Sequence, residues 1–205
     1  YIIKRNHAYV LIVPFYSSWL YIVASYYDYT KNKALYAGKL KIHHFENLFW
    51  NVFVFQPFSL GCLLYMLPPF DYFHSILAEI SYIVSQIVVG EVWFYTIHYI
   101  IHSKYLYRYN KTHHENSNVI GIFALYAHPF DAIITNFGSI FLLHYFIRFS
   151  IFHIYLIGTV ATINTILSSH TGTTDGFHQN HHRLFNSNYG MNYFMDRLFG
   201  TIQNV

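Results

Sequence analysis

The 205-residue chain has a single cysteine, five prolines and few charges. The lone Cys62 excludes a disulfide framework and any multi-cysteine zinc or iron–sulfur site. Charged residues make up 10% of the chain, against about a quarter in ordinary soluble domains. Hydrophobic residues reach 54% and mean hydropathy is positive, so a soluble globular domain is excluded. The 12 basic and 9 acidic residues form no Lys/Arg cluster able to neutralise phosphates, which rules out nucleic acid as a partner. The sequence starts at Tyr1, which leaves the true N-terminus and any targeting segment open.

The apolar residues are gathered in runs. Tyr9 to Tyr27 carries no charge and approaches the ~20 residues a bilayer crossing needs. Leu48 to Leu67 is a second such run, ended by Pro68-Pro69, and Phe73 to Ile97 a third, broken only by Glu79 and Glu91. Carboxylates at that depth require partners. Ala132 to Ile147 and Ile151 to Leu167 are shorter, meet around Arg148 and read as a helical hairpin of two arms, each short for a full crossing. Lys31, Lys33, Lys39 and Lys41, in a polar loop from Asp28 to Glu46, are separated by two crossings from Lys104, Arg108 and Lys111. The positive-inside rule puts both sets on one side. The expected architecture is therefore an all-α polytopic membrane protein with four to five transmembrane or hairpin helices and a histidine-rich helical cap of cytosolic type. A single domain over 1–205 would divide into mainly transmembrane helices (9–97), a first part of the cap (98–131), the hairpin (132–167) and a second part of the cap (168–205).

Histidine is abundant where charge is scarce: there are 15. His98 and His102 lie four residues apart, hence on one helix face, and two ligands from one turn suit one metal. No glutamate follows His98, so the zinc-protease arrangement is absent. Asn110-Lys111-Thr112-His113-His114 and His178-Gln179-Asn180-His181-His182 repeat one spacing. His178 shares a helical face with His181 and His182, and adjacent imidazoles about 100° apart can reach two neighbouring ions. Two metals close together follow. His43-His44 in the Lys-rich loop, His74 and His7 read as solvated or interfacial. His144 and His153, at membrane depth, are read as hydrogen-bonding residues in preference to axial ligands of a haem carrier.

With His98 to His102, His113-His114, His128-Pro129, Ser169-His170, the triad His178/His181/His182, Asn188-Tyr189-Gly190 and the closing Asp196-Arg197-Leu198-Phe199-Gly200-Thr201, the stretch from Glu91 to Thr201 resembles the fatty acid hydroxylase/sterol desaturase superfamily. That resemblance implies two metal ions, iron expected and zinc the alternative, which activate dioxygen to hydroxylate or desaturate a sterol or fatty acyl chain. It also implies the ligands His98, His102, His113, His114, His170, His178, His181 and His182, with His128 as a further one. Glu115 and Asp175 would orient ring N–H groups. A membrane lipid would be the substrate. No HPGG motif of a fused cytochrome b5-like domain is present, so electrons would come from an external donor such as cytochrome b5.

Two positions depart from the family pattern. Asn110 stands where the middle box begins with histidine, and an amide is a poorer ligand than imidazole, which leaves one site open to being weakly held or empty. Asp131 stands where glutamate is common and could displace an outer hydrogen bond. They support a second reading, a catalytically degenerate relative serving as a structural subunit of a larger membrane complex. The endoplasmic reticulum is the location the resemblance implies; the inner mitochondrial membrane is the alternative.

Overall fold

The computed structural model describes residues 8–70, 75–117, 119–170 and 176–203. Four helices are long and apolar enough to cross a membrane: α1 (Tyr9–Lys31), α2 (Ile42–Met66), α3 (Ile76–Ile101) and α4 (Ile151–Ser169). No β-strand occurs among the described residues, and the chain is an all-α integral membrane protein. Short helical turns run through 129–145, and the cap closes with α5 (Phe177–Leu184) and α6 (Tyr193–Phe199).

Two expectations need correction. The second arm of the hairpin, α4, extends to 19 residues and is long enough to span, while the first arm is helical without a break over 129–145, through α, π and 3-10 segments, and stays short. The polar loop is also shorter than its composition suggests. Helix α2 starts at Ile42 and carries His43 and His44 on its first turn, so His44 is fully buried and not solvated. His7 and His74 lie outside the described residues.

Residues such as Phe15, Trp19, Ile80, Val84 and Ile87 face outward from the spans, as they would against lipid chains. In such an apolar solvent, burial of hydrocarbon no longer drives helix association, and close packing and interhelical hydrogen bonds take over, each worth roughly 0.6 kcal/mol on average. The bundle uses both. Ser18 Oγ of α1 donates to the Val52 carbonyl of α2 at 2.6 Å, the hydroxyls of Tyr16 and Thr159 meet at 2.8 Å, and Gln86 of α3 donates to the Ser139 carbonyl at 2.7 Å. At Gly90 a β-carbon would stand 2.7 Å from that same Ser139 carbonyl oxygen, so glycine is what lets α3 approach the 129–145 turns.

The carboxylates within α3 both have partners. Glu79 takes Ser150 Oγ at 3.1 Å and His153 Nδ1 at 3.0 Å; Glu91 accepts the backbone N–H groups of Met191 at 3.0 Å and Asn192 at 3.2 Å. His144 Nε2 donates to the Leu67 carbonyl at 2.8 Å. His144 and His153 therefore have the hydrogen-bonding roles expected of them. Arg148 caps the same end of α2, with Nε donating to the Pro68 carbonyl at 2.8 Å.

At the other end of the bundle, Asp28 receives the Asn32 amide at 2.7 Å, the Tyr36 hydroxyl, and the Gly121 N–H at 3.1 Å, tying α1 to the turn at Gly121–Leu125. Asn47 and Asn51 of α2 donate to the Ala127 carbonyl, each at 2.9 Å. The start of α2, the end of α1 and the histidine-bearing turns after α3 thus occupy one end of the bundle, in agreement with the charge-based topology.

Candidate metal centre

The histidines arrive from four places. His98 and His102 are on the last turn of α3 and its C-cap, His113 and His114 on a 3-10 turn, and His170 follows the π turn Thr165–Ser169 that ends α4. His178, His181 and His182 lie on α5. They assemble into two groups of four: His98, His102, His114 and His181; and His113, His170, His178 and His182. In each group the ligand atoms lie within 4.8 Å of one another.

The adjacent pairs split between the groups. His113 joins the second and His114 the first, and His182 joins the second and His181 the first. The roughly 100° step along a helix has that consequence. His178 keeps company with His182, four residues on, while His181 points to the other group, so the face expected to be shared by all three is shared by two.

Whether these groups fit metal ions is decided by their ring nitrogens. His98 Nδ1 meets the Tyr189 carbonyl at 2.8 Å, His170 Nδ1 the Thr165 carbonyl at 2.8 Å, and His181 Nδ1 the Ser187 carbonyl at 2.6 Å. A carbonyl only accepts, so each Nδ1 carries the proton and each Nε2 is left with a lone pair. Nε2 of both His98 and His170 is buried without a hydrogen-bond partner. His114 Nε2 lies 3.0 Å from His102 Nε2 and 3.1 Å from His181 Nε2; His178 Nε2 lies 3.2 Å from His182 Nε2 and 3.4 Å from His113 Nε2. Two nitrogens bound tetrahedrally at about 2.0–2.1 Å to one ion stand about 3.3 Å apart. The donor set fits two metal ions, one per group.

Burial keeps the imidazoles neutral, as ligands must be. It lowers His113 to about 4, His170 to about 3 and His102 to about 2. His114, His178, His181 and His182 are pushed well down by burial and then by neighbouring histidines.

The surroundings of the groups differ. Phe185, held at a φ of 69° where α5 ends, sets its ring 4.9 Å from His102 and 5.1 Å from His114. A bulky side chain in that conformation is strained, and the strained turn sets the ring against the first group. The loop supplying the Tyr189 carbonyl is itself held by Asp196, which accepts from the Tyr189 N–H at 2.9 Å, the Gly190 N–H at 2.7 Å and Thr201 Oγ1 at 2.6 Å. The second group opens instead on a cavity of about 130 Å³ between the helices, where His113, His170 and His178 form one wall.

Other expected site residues stand apart. Asn110 is fully buried and donates Nδ2 to Asp131 Oδ2 at 2.9 Å, while its Oδ1 has no hydrogen-bond partner. The two departures from the family pattern are therefore partners of one another. Burial raises Asp131 to about 6. His128 lies outside both groups, and its Nδ1 accepts the Phe130 N–H at 3.1 Å, the reverse of the ligand tautomer. Glu115 accepts from Tyr126 and meets His43 Nε2 at 3.0 Å; the Tyr126 bond lowers it. It contacts α2 and orients no ligand ring, a task that falls to backbone carbonyls. His43, His44 and Glu115 could be mistaken for a further metal group, but His44 Nδ1 accepts the Lys41 N–H at 3.1 Å, which leaves the proton on Nε2. Asp175 lies outside the described residues. Phe185 and the carbonyls of Thr165 and Ser187 escape sequence reasoning because neither ring placement nor backbone orientation has a residue signature.

A family model described as fatty acid hydroxylase matches residues 83–201. Among curated proteins, the chain is 29% identical over 134 residues to Methylsterol monooxygenase 1 of Gallus gallus, covering 56% of this chain and 43% of the relative. It is 31% identical over 136 residues to Fatty acid hydroxylase domain-containing protein 2 of Homo sapiens, covering 63% and 40%. The matches span less than half the length of either relative. No solved structure matches the chain.

Proposed function

The chain belongs to the fatty acid hydroxylase family, and from that premise we propose that it is a membrane-bound di-iron oxygenase that hydroxylates or desaturates a sterol or fatty acyl chain with dioxygen. The observation that carries the proposal is the pair of four-imidazole groups, one of them contributing three histidines to the wall of a cavity between the helices. Iron bound there would supply the oxygen chemistry that no side chain can perform on an unactivated C–H bond. The chain's own residues would do the rest. His98, His102, His114 and His181 hold one ion, and His113, His170, His178 and His182 the other. The carbonyls of Tyr189, Thr165 and Ser187 hold the ring protons at Nδ1, and Phe185 and Tyr189 pack against the rings of the first group. The lipid reaches the second group from the bilayer through the cavity, electrons come from a separate donor such as cytochrome b5, and the endoplasmic reticulum is the site of action.

The alternative, a degenerate structural subunit, depends on Asn110 being a lost ligand. That both groups gather four imidazoles without Asn110 favours the oxygenase. The test is elemental analysis of protein purified in mild detergent, followed by incubation with sterol and acyl lipids, reductant, donor and isotopically labelled dioxygen. Two irons per chain and an oxidised lipid are expected, with label in it where the reaction is a hydroxylation. Protein that cannot be loaded with metal, or loaded protein that oxidises none of the lipids, overturns the proposal.

A further inference from the structure

The cavity beside the second histidine group is unusual in what lines it. Among its described lining residues there is no Lys, Arg, Asp or Glu, so an anionic head group would find no counter-ion there other than a metal. Several polar groups on its wall are already used within the protein: Tyr21 donates to the Ile122 carbonyl, Ser139 Oγ to the Asn136 carbonyl at 2.7 Å, and Thr165 Oγ1 to the Ala161 carbonyl at 2.8 Å. The side-chain amides of Gln56, Asn136 and Asn164 make no hydrogen bond within the protein, although all three face this cavity. Gln56 is midway along α2, Asn164 lies on α4, and Asn136 on the turns between α3 and α4. Three amides from three elements, Gln56 and Asn136 half-buried and Asn164 exposed, line one space, and within apolar helices an unpaired polar group is costly. A shape-only hydrocarbon pocket would not need them.

We propose that Gln56, Asn136 and Asn164 form the recognition patch for an uncharged hydrogen-bonding group of the lipid, a hydroxyl or carbonyl, and so select neutral polar lipids over fatty-acid anions and over plain hydrocarbon. An amide offers both donors and an acceptor, which matches a hydroxyl and leaves a carboxylate's charge uncompensated. A site built to bond such a group rejects the analogue lacking it, because its own polar atoms are then left unpaired. The inference rests on the reading of the cavity as the lipid site, and binding separates it from turnover.

The experiment measures equilibrium binding of two matched probe sets to the full chain in detergent: cholesterol against its 3-methyl ether, and oleyl alcohol against oleate and 1-octadecene. In at least one set the alcohol should bind roughly tenfold more tightly than its partners, about 1.4 kcal/mol. Gln56→Leu/Asn136→Leu should bring that ratio close to one while leaving metal content unchanged. Asn164→Leu, at a more exposed position, should reduce the ratio without threatening the fold. The proposal is overturned if neither alcohol is preferred by the natural protein, if oleate binds as tightly as oleyl alcohol, or if the preference survives in the variants. Preference without turnover would leave recognition standing and remove the oxygenase reading; turnover without preference would do the reverse.

Discussion

The two histidine groups have the same number of imidazoles and opposite surroundings. The first is covered by Phe185 and Tyr189 and braced through Tyr189 by Asp196 and, next to it, Glu91. The second has three of its four histidines on a cavity wall. Imidazoles of one chemical kind are thus divided between a group flanked by Phe185 and Tyr189, in which His102 and His114 stay partly exposed, and a wholly buried group that borders a cavity, and the division lies in the residues around them. Burial raises the cost of leaving a ring nitrogen unpaired, and that cost falls most fully on the second group.

The strongest way to break the comparison is to remove the hub of each group. His178→Ala should release metal from the second group and lower lipid turnover by more than ~100-fold, beyond the usual effect of an outer partner. His114→Ala should release metal from the first. Elemental analysis on both variants checks this, and equal losses of both ions in each would show that the groups form one inseparable unit. A step smaller, Asp196→Asn should weaken metal binding by ~10–100-fold, and only in the first group, because Asp196 holds the loop that fixes His98. Competition with a chelator reads the two affinities separately.

Acid should act on the metal-free protein in a defined window. His113 at about 4 and His170 at about 3 lie below the ~6.5 of an unfolded imidazole. The unfolded chain therefore binds more protons, so their contribution to stability is complete above about 6.5 and is lost as pH falls toward those values. Melting temperature measured from pH 7.5 to 4.5 should fall, and loading with metal should move the fall to lower pH. The smallest effect is expected from Asn110→His. Since Asn110 donates to Asp131 and each group already gathers four imidazoles, metal content should not change, and elemental analysis showing an additional or better-held ion would return Asn110 to the ligand shell.

Much of this centre is visible in consecutive residues, and some of it is not. The spacing of His98 and His102 predicts their common group, and the adjacency of His113 and His114 predicts their divergence; both hold. The partition of His178, His181 and His182 is less legible, since a helix of 8 residues offers more than one choice of face. Asn110 and Asp131 each look like an isolated weakness in the sequence, yet across 21 residues they form one hydrogen bond. His43-His44 misleads in the opposite direction: four nearby lysines suggest solvent, while the packing of Phe123 and Tyr126 against His44 buries it.

The sequence by itself determined three of the four long apolar helices, the family and most of the histidines that gather in the cap, because uncharged runs and turn-length spacings are properties of neighbours along the chain. Only the tertiary structure decided which imidazoles stand together, which carbonyls meet their Nδ1 atoms, and that one group borders a cavity with unspent amides. Those relations join residues up to about a hundred positions apart, as from Glu91 to Asn192, and they depend on backbone groups that every residue carries alike.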